Sequence, residues 1–260
     1  MGKIWSLHES RSPVIAAAIH NGHNVRPKVA ELLALTDTER LREEDPFTAE
    51  WAALSDTRII GLHSRFEVDL NRPREKAVYI KPEDVWGLKV WKAEPSLDII
   101  ARSLEAYDAF YTEVARVLKN AERSFGHFVV LDIHSYNHLR EGPEGSAADP
   151  NLNPEVNIGT GTMDRERWAP LIERFIADLR GFDFLGRHLD VRENVRFRGG
   201  QFPRWVHERF PKTGCALAIE IKKFFMDEWT GKQDPLIMKT ILEALKSTLP
   251  GIIEELSNFR

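Results

Sequence analysis

The sequence lacks the features that mark exported, membrane-spanning or nucleic-acid-binding proteins. It contains one cysteine, Cys215, so no intrachain disulfide can form, and we expect a reducing, cytoplasmic compartment. Its longest apolar runs, such as residues 14–19 and 128–131, are far shorter than the roughly 20 residues of a membrane span. Residues 1–10 hold no apolar stretch of signal-peptide length. A formal net charge of -4 attracts neither nucleic acid nor anionic lipid, so neither partner is expected.

What is present is the composition of a globular protein. The 260 residues are 42% hydrophobic and 29% charged, enough to bury a core that excludes water from a site. The sequence shows no internal repeat, and we interpret residues 1–260 as a single catalytic domain. The stretch 140–157 is rich in Gly, Pro and Asn and has no apolar periodicity. It is therefore predicted to be a long functional loop inside that domain.

The hydrophobic pattern predicts an α/β fold. Short apolar runs ended by polar residues predict core strands at 13–20, 58–63, 127–134 and 215–221. Apolar residues at helical spacing predict helices at 96–120, 164–179 and 235–249. This alternation indicates three layers, α/β/α, around a central mixed, largely parallel sheet. Ligands bind beyond the carboxyl ends of strands in such sheets, so the polar residues that close the strands are candidate site residues.

Two of the predicted strands end in histidine, at His20 and His134. A catalytic zinc takes three His, Asp or Glu ligands and keeps one open position, so this pair is a candidate for a shared metal site. A structural, hydrogen-bonded role is the alternative for each. His23 lies in a Gly-containing turn and is either solvated or a ligand. Asp132 shares a strand face with His134, either as the partner that orients a metal-bound histidine or as a buried structural acid.

A third ligand could come from the acidic run Glu43, Glu44 and Asp45, which precedes Pro46. Composition favours a solvated helix start, with Asp45 as the N-cap and Pro46 at the first helical position. A capping carboxylate can also bind a metal ion, so the two interpretations are compatible.

The polar segment 63–73 follows a predicted strand and contains Arg65 and Arg72. A guanidinium group matches a carboxylate bidentately, so this segment predicts an anion site. The alternative is a structural ion pair between Asp69 and either arginine, and spacing alone does not choose between them.

Glu220 interrupts an otherwise apolar strand. Burying a carboxylate costs several kcal/mol unless it is paired or placed to work. We interpret Glu220 as a catalytic base whose pKa is raised by apolar surroundings. A salt bridge to Lys222 or Lys223 is the alternative.

Taken in order, these residues resemble the N-formylglutamate amidohydrolase family, which is similar to zinc carboxypeptidases and aspartoacylases. The matching segments, spread over most of the chain, are residues 20–22, 64–73, 132–135 and 198–200, and Glu220 followed by residues 225–228. The segment 64–73, Ser-Arg-x-x-x-Asp-Leu-Asn-Arg-Pro, is the most specific of them.

The resemblance implies one zinc ion per chain, or another divalent metal in its place, held by His20, Asp45 and His134. In the carboxypeptidases the acidic ligand follows the first histidine by three positions, where this chain has His23. Glu44 and His23 therefore remain alternatives to Asp45.

The resemblance also implies hydrolysis of an N-acyl amino acid, first of all N-formyl-L-glutamate to formate and L-glutamate. Glu220 would act as the base, and Arg65 would stabilise the carbonyl oxygen. Substrate contacts are implied for Asn71, Arg72, Ser135, Tyr136, Arg198, Gly199 and Gly200, with a plain flexible turn as the alternative for the last three. A metallocarboxypeptidase or another N-acyl amino acid deacylase is the alternative reaction, and a non-catalytic carboxylate-binding relative is the alternative class.

Nucleophilic catalysis is not expected. Ser64 lies outside a Gly-x-Ser-x-Gly elbow, and Cys215 begins an apolar strand, where it is expected to be an inert small hydrophobe. The aromatic and basic stretch 202–210 is predicted to form a lid or an interface, and a homo-oligomer is compatible with the sequence.

Overall fold

The computed structural model describes residues 3–259, which form a seven-stranded sheet with helices on both faces. The strands are β1 (Trp5–His8), β2 (Val14–Ala18), β3 (Thr57–Gly61), β4 (Phe128–Tyr136), β5 (Val156–Gly159), β6 (Val191–Glu193) and β7 (Gly214–Lys222). The helices are α1 (Pro27–Leu32), α2 (Asp37–Glu43), α3 (Thr48–Ala52), α4 (Leu97–Phe125), α5 (Ala169–Gly181), α6 (Gln201–Arg209), α7 (Pro235–Ser247) and α8 (Leu249–Asn258). Every helix within the described range is too short or too polar to cross a membrane.

The sheet is mixed but mostly parallel. Its strand order is β1-β3-β2-β4-β7-β5-β6. The four central strands β3, β2, β4 and β7 run parallel, while β1 pairs antiparallel with β3, and β5 pairs antiparallel with β7. The prediction of an α/β fold with a mixed, largely parallel sheet is confirmed.

The two faces of the sheet carry separate hydrophobic cores. One face packs against α3, α5, α7 and α8, with Trp51 and Phe175 fully buried. The other packs against α4 and α6, with Phe110 and Phe202 fully buried. All nine residues of β4 are buried, as expected for a strand covered on both faces. The sheet therefore forms the middle of three layers.

The predicted strands form where expected, but their ends differ. β2 stops at Ala18, so His20 lies two residues beyond its end, whereas β4 continues through Tyr136 and holds His134 inside it. The sequence does not predict β1, β5 and β6, because each has only three or four residues and includes polar ones. Most of the predicted loop 140–157 is irregular, but its last two residues, Val156 and Asn157, begin β5.

A third, smaller core lies beneath the irregular segment between β3 and α4. Its buried members include Phe66, Tyr79, Val85 and Trp91. These residues anchor a segment that has little regular structure of its own, and the anchored part includes residues 64–73.

The stretch 202–210 is a helix packed on the sheet and not a lid, so that part of the prediction is wrong, and the interface alternative stays a prediction. It forms α6, which packs on β7 with Phe202 and Val206 fully buried. Its aromatic residues are spaced so that one face of a helix enters the core, which composition alone does not reveal.

His207 on α6 is held neutral inside the fold. Its Nε2 accepts a hydrogen bond from the Ala216 backbone N–H at 2.9 Å, and its Nδ1 lies 3.0 Å from Thr162 Oγ1. Burial lowers the pKa of His207 from 6.5 to about 4. Protonation of Nε2 would break the bond to Ala216, so the folded state disfavours the imidazolium form.

We expect His207 to make the protein sensitive to acid. The unfolded chain takes up a proton near pH 6.5 and the folded chain only near pH 4, so stability falls as the pH drops through this window. The contribution lost is on the order of 3 kcal/mol. Urea denaturation between pH 7.5 and about 4 measures it, and a His207→Gln variant, which keeps a donor and an acceptor without titrating, should show a flatter profile. A variant with the same pH slope as the parent would contradict this assignment.

Candidate active site

A pocket of about 550 Å³ opens at the carboxyl ends of β4 and β7. Six of its lining residues are Arg or Lys and three are Asp or Glu, which favours an anionic ligand. The charged members are Glu43, Asp45, Arg65, Arg72, Arg140, Arg196, Arg198, Glu220 and Lys223.

His20, Asp45 and His134 meet in the lining of this pocket. Asp45 Oδ2 lies 2.8 Å from His134 Nδ1 and 3.5 Å from His20 Nδ1. One ligand atom from each residue lies within 4.8 Å of the other two, and all three residues are buried. The two imidazole rings stand edge to face, with centroids 4.8 Å apart. The structure thus brings together three residues that are far apart in the sequence.

A carboxylate lies against the far side of each imidazole. His20 Nε2 is 2.7 Å from Asp69 Oδ1, and His134 Nε2 is 3.0 Å from Asp132 Oδ1, the latter an ion-pair contact rather than an aligned hydrogen bond. Each ring therefore directs Nε2 to a carboxylate and Nδ1 towards Asp45. This is the arrangement by which outer carboxylates orient metal-binding histidines.

The donor set fits a divalent metal ion. Two imidazoles and one carboxylate are the protein ligands of many catalytic zinc sites. His20 Nδ1 is buried and makes no hydrogen bond to any residue in the described range, and a metal ion would satisfy it. Burial alone would raise the pKa of Asp45, but the contacts with His134 and His20 outweigh it and hold that pKa below its usual range.

The acidic run before Pro46 is not a solvated helix start, so that prediction is wrong. Glu43 ends α2, Glu44 is its C-cap, and both are buried along with Asp45. The capping box of Thr36 and Glu39 begins α2, whereas α3, the helix after the run, has Phe47 as its N-cap and no side-chain cap. The Asp45 side chain contacts the histidines instead of capping a helix.

Glu44 and His23, the alternatives for the third ligand, pair with each other outside the cluster. His23 Nδ1 lies 2.5 Å from Glu44 Oε2, and the other oxygen of Glu44 accepts from the Ser64 hydroxyl. His23 is therefore neither simply solvated nor part of the cluster. Of the three candidates, Asp45 alone joins both histidines.

Asp69 has a role that the sequence argument missed. It is fully buried, and its carboxylate accepts from the Asn71 backbone N–H at 2.7 Å, from Arg65 Nη2 at 2.8 Å and from the Tyr79 hydroxyl, besides contacting His20. The structural ion pair weighed for Asp69 thus exists with Arg65, while Arg72 lies 3.9 Å away with 39% of its side chain exposed. The position of Asp69 inside the family-like segment 64–73 is the one sequence signal that could have indicated its importance.

Glu220 faces the cluster from the neighbouring strand. It is the Cα partner of His134 in the register of β4 and β7, so the two side chains lie on the same face of the sheet. Burial raises the pKa of Glu220 to about 7. The adjacent lysines do not pair with Glu220. Lys222 Nζ donates to the Asn153 carbonyl at 3.0 Å, and Lys223 Nζ donates to the carbonyls of Arg42 and Glu44. The pocket thus holds a carboxylate that can exchange a proton near neutral pH.

Asn71 caps α6 from a distant part of the chain. Its side-chain Oδ1 accepts from the Phe202 backbone N–H at 2.9 Å, and its carbonyl accepts from Gln201 at 3.2 Å. Its Nδ2 lies 3.4 Å from His134 Nε2. The Gly200 backbone packs directly against the Asn71 side chain, because a Cβ atom on Gly200 would lie 2.3 Å from Asn71 Oδ1.

The other residues expected to contact substrate all line the pocket. The Ser135 hydroxyl donates to Asp45 Oδ1 at 3.4 Å. The Tyr136 hydroxyl donates to the Pro154 carbonyl, so Tyr136 offers the pocket its ring. Arg198 and Gly199 lie beside Gly200 at the start of α6. Sequence reasoning missed several lining residues that lie on separate loops without a shared motif: Trp86, Asn137, Arg140, Arg196 and Phe197. Glu43 and Lys223, which the sequence suggested for other roles, also line the pocket.

We expect Gly200→Ala to destabilise the fold by about 1–3 kcal/mol, the usual cost of overpacking, because the new methyl group displaces Asn71 and uncaps α6. Thermal or urea unfolding measures this change. Gly181→Ala is the matched control: Gly181 ends α5, and a Cβ there meets nothing within 4 Å. Equal stability of the two variants would contradict the close approach.

Comparison with known proteins identifies the family. The family model of N-formylglutamate amidohydrolase matches residues 12–226, whereas no curated protein matches the chain. The chain is similar to the crystal structure of N-formylglutamate amidohydrolase from Ralstonia eutropha JMP134, with a TM-score of 0.75, 16% identity and 99% of each chain covered. It is also similar to a gene product from Agrobacterium tumefaciens, with a TM-score of 0.67, 19% identity and 97% of each chain covered. At these identities the solved structures show a shared fold, and the family match over most of the sequence shows that the chain belongs to the N-formylglutamate amidohydrolase family.

Proposed function

We propose that this chain is a zinc-dependent hydrolase of N-acyl amino acids that converts N-formyl-L-glutamate to formate and L-glutamate. The observation that carries the proposal is the convergence of His20, Asp45 and His134, with ligand atoms within 4.8 Å of one another, opposite Glu220. Membership of an amidohydrolase family supports the same reaction class.

Glu220 is the proposed general base. Zinc bound at the three-residue cluster would polarise the scissile carbonyl group and acidify water. Glu220 takes a proton from the attacking water and passes it to the leaving nitrogen, which then departs as the amine. A base with a pKa of about 7 accepts a proton and returns it at neutral pH.

Arg65 is the proposed stabiliser of the negative charge that develops on the carbonyl oxygen. Its guanidinium lines the pocket, is held in place by Asp69 and Tyr79, and stacks 5.0 Å from the centre of the Trp86 ring. Such a preorganised donor contributes about 3 kcal/mol to transition-state stabilisation.

The substrate carboxylates are proposed to bind along the cationic wall of the pocket. Asn71 and Arg72 hold one carboxylate, and Arg198 with the backbone N–H groups of Gly199 and Gly200 holds the second. Ser135 and Tyr136 complete the wall next to His134. Two anionic anchors fix the scissile bond relative to Glu220 and favour an N-acyl dicarboxylic amino acid over a neutral amide.

We expect the purified chain to bind about one zinc ion, as a site with three protein ligands does. Substitutions His134→Ala and Asp45→Ala should abolish this binding, because each removes a ligand from the cluster. Elemental analysis after dialysis measures the metal content. His23→Ala is the matched control and should retain the metal, since His23 pairs with Glu44 outside the cluster. If the His23 variant lost the metal while the Asp45 variant kept it, His23 and not Asp45 would be the third ligand.

We expect Glu220→Gln to keep the metal and to lower kcat about 10²–10⁴-fold, the range for loss of a general base. Formate release from N-formyl-L-glutamate measures the rate. Glu43→Gln is the control: Glu43 lines the same pocket but forms ion pairs with Arg42 at 3.6 Å and Arg140 at 3.7 Å. A near-normal rate in the Glu220 variant would remove Glu220 from the base role.

A substrate panel separates this reaction from its alternatives. N-formyl-L-glutamate, its mono-amides, N-acetyl-L-glutamate and a dipeptide with C-terminal glutamate test the acyl group and each carboxylate. Replacing a carboxylate by an amide should lower kcat/KM roughly 10²-fold, as expected for loss of a charge-assisted hydrogen bond. Faster cleavage of the dipeptide than of the formyl compound would favour a peptidase.

A further inference from the structure

Lys223 is a buried cation that the proposed reaction does not use. It directly follows β7 and lies three residues after Glu220, and its side chain is almost fully buried. Its backbone N–H donates to the Tyr136 carbonyl at 2.9 Å, which extends the pairing of β7 with β4. The Lys223 backbone is thus as firmly placed as the strand that carries Glu220.

The ammonium group of Lys223 binds the chain on both sides of Glu43. Its Nζ donates to the Arg42 carbonyl at 2.6 Å and to the Glu44 carbonyl at 2.8 Å. These carbonyls lie at the C-terminal end of α2, where backbone acceptors have no helical partner and the helix dipole favours a cation. Glu44 immediately precedes Asp45, so this contact acts on the backbone next to the proposed metal ligand.

The turn that follows needs such a contact because it has little regular structure of its own. Phe47 adopts a left-handed conformation with φ of 69°, which is unfavourable for a large residue. The Asp45 backbone is held by its N–H to the His20 carbonyl at 3.0 Å and by its carbonyl to the Thr48 hydroxyl at 2.7 Å. Lys223 supplies the contact from the sheet on the N-terminal side of the turn.

We propose that Lys223 is a positioning residue whose ammonium group fixes the Asp45 carboxylate against His20 and His134, so that metal affinity depends on a residue that is not a ligand. The inference rests on the proposed metal site. One strand end then places both the base Glu220 and the backbone that carries Asp45, and their relative position does not depend on a flexible loop.

The sign of the effect distinguishes positioning from simple electrostatics. A lysine near a divalent cation repels it, so removal of the charge alone would tighten metal binding. Loss of positioning does the opposite, because Asp45 then samples orientations that do not bind the ion. Loss of a contact that orients a metal ligand typically weakens metal affinity about 10–100-fold.

The test measures the dissociation constant for Zn²⁺ of the metal-free full-length chain by competition with a chromophoric chelator. Lys223→Met removes both the donors and the charge, and we expect about 10–100-fold weaker binding. Lys223→Gln removes the charge but keeps an N–H₂ donor, and we expect a smaller weakening. Lys222→Met is the matched control: Lys222 Nζ donates to the Asn153 carbonyl away from Asp45, so the affinity should equal that of the parent.

Each outcome bears on one proposal only. Unchanged or tighter Zn²⁺ binding in both Lys223 variants overturns the positioning role, and so does an equal loss in Lys222→Met. Circular dichroism and thermal unfolding of the metal-free variants establish whether they fold. If Lys223→Met does not fold, the test rests on Lys223→Gln. Weaker Zn²⁺ binding by folded Lys223→Gln supports the positioning role, and equal or tighter binding overturns it. A parent chain that binds no Zn²⁺ contradicts the proposed metal site itself.

Discussion

The buried carboxylate of Asp69 is the contact on which the rest of the site depends. It fixes the His20 ring through Nε2, holds the Arg65 guanidinium, and receives the backbone N–H of Asn71. Removal of one partner from such a buried charged group typically costs about 3–5 kcal/mol, because the remaining charge is left uncompensated. The orientation of the first histidine, the position of the arginine and the cap of α6 are therefore consequences of one side chain.

The parallel pairing of β4 with β7 is the second constraint. It sets His134 beside Glu220 in register and continues as far as the contact between Lys223 and Tyr136. A shift of one residue between these strands would turn either His134 or Glu220 to the opposite face, into the core formed by α5 and α7. The apolar residues that alternate with them, Ile133 and Ile219, are buried in that core and so hold the register.

Much of this arrangement could be predicted from the sequence, for identifiable reasons. The central strands are continuous apolar runs and α4 has apolar residues at helical spacing, while His134 and Glu220 stand out because they are polar residues in apolar strands. Other pocket-lining residues, such as Arg196 and Phe197, lie on loops, where no hydrophobic pattern predicts which residues face the pocket. The prediction for the acidic run at residues 43–45 failed because three consecutive charges suggest exposure to solvent. Contacts between residues more than 85 positions apart, such as that of Asp45 with His134, bury the run instead.

The cap of α6 by Asn71 has a consequence for how the molecule assembles. The hydrogen bond from Phe202 to Asn71 spans 131 residues of chain, and a glycine precedes the helix with no local cap. The backbone N–H groups in the first turn of α6 gain their hydrogen bonds only after the segment with Arg65 and Asn71 has docked. Contacts between residues so far apart in the chain form slowly. The wall of the pocket and the helix behind it therefore become ordered together, so that a chain able to fold α6 fully has already built the side of the pocket that carries Arg65 and Asn71.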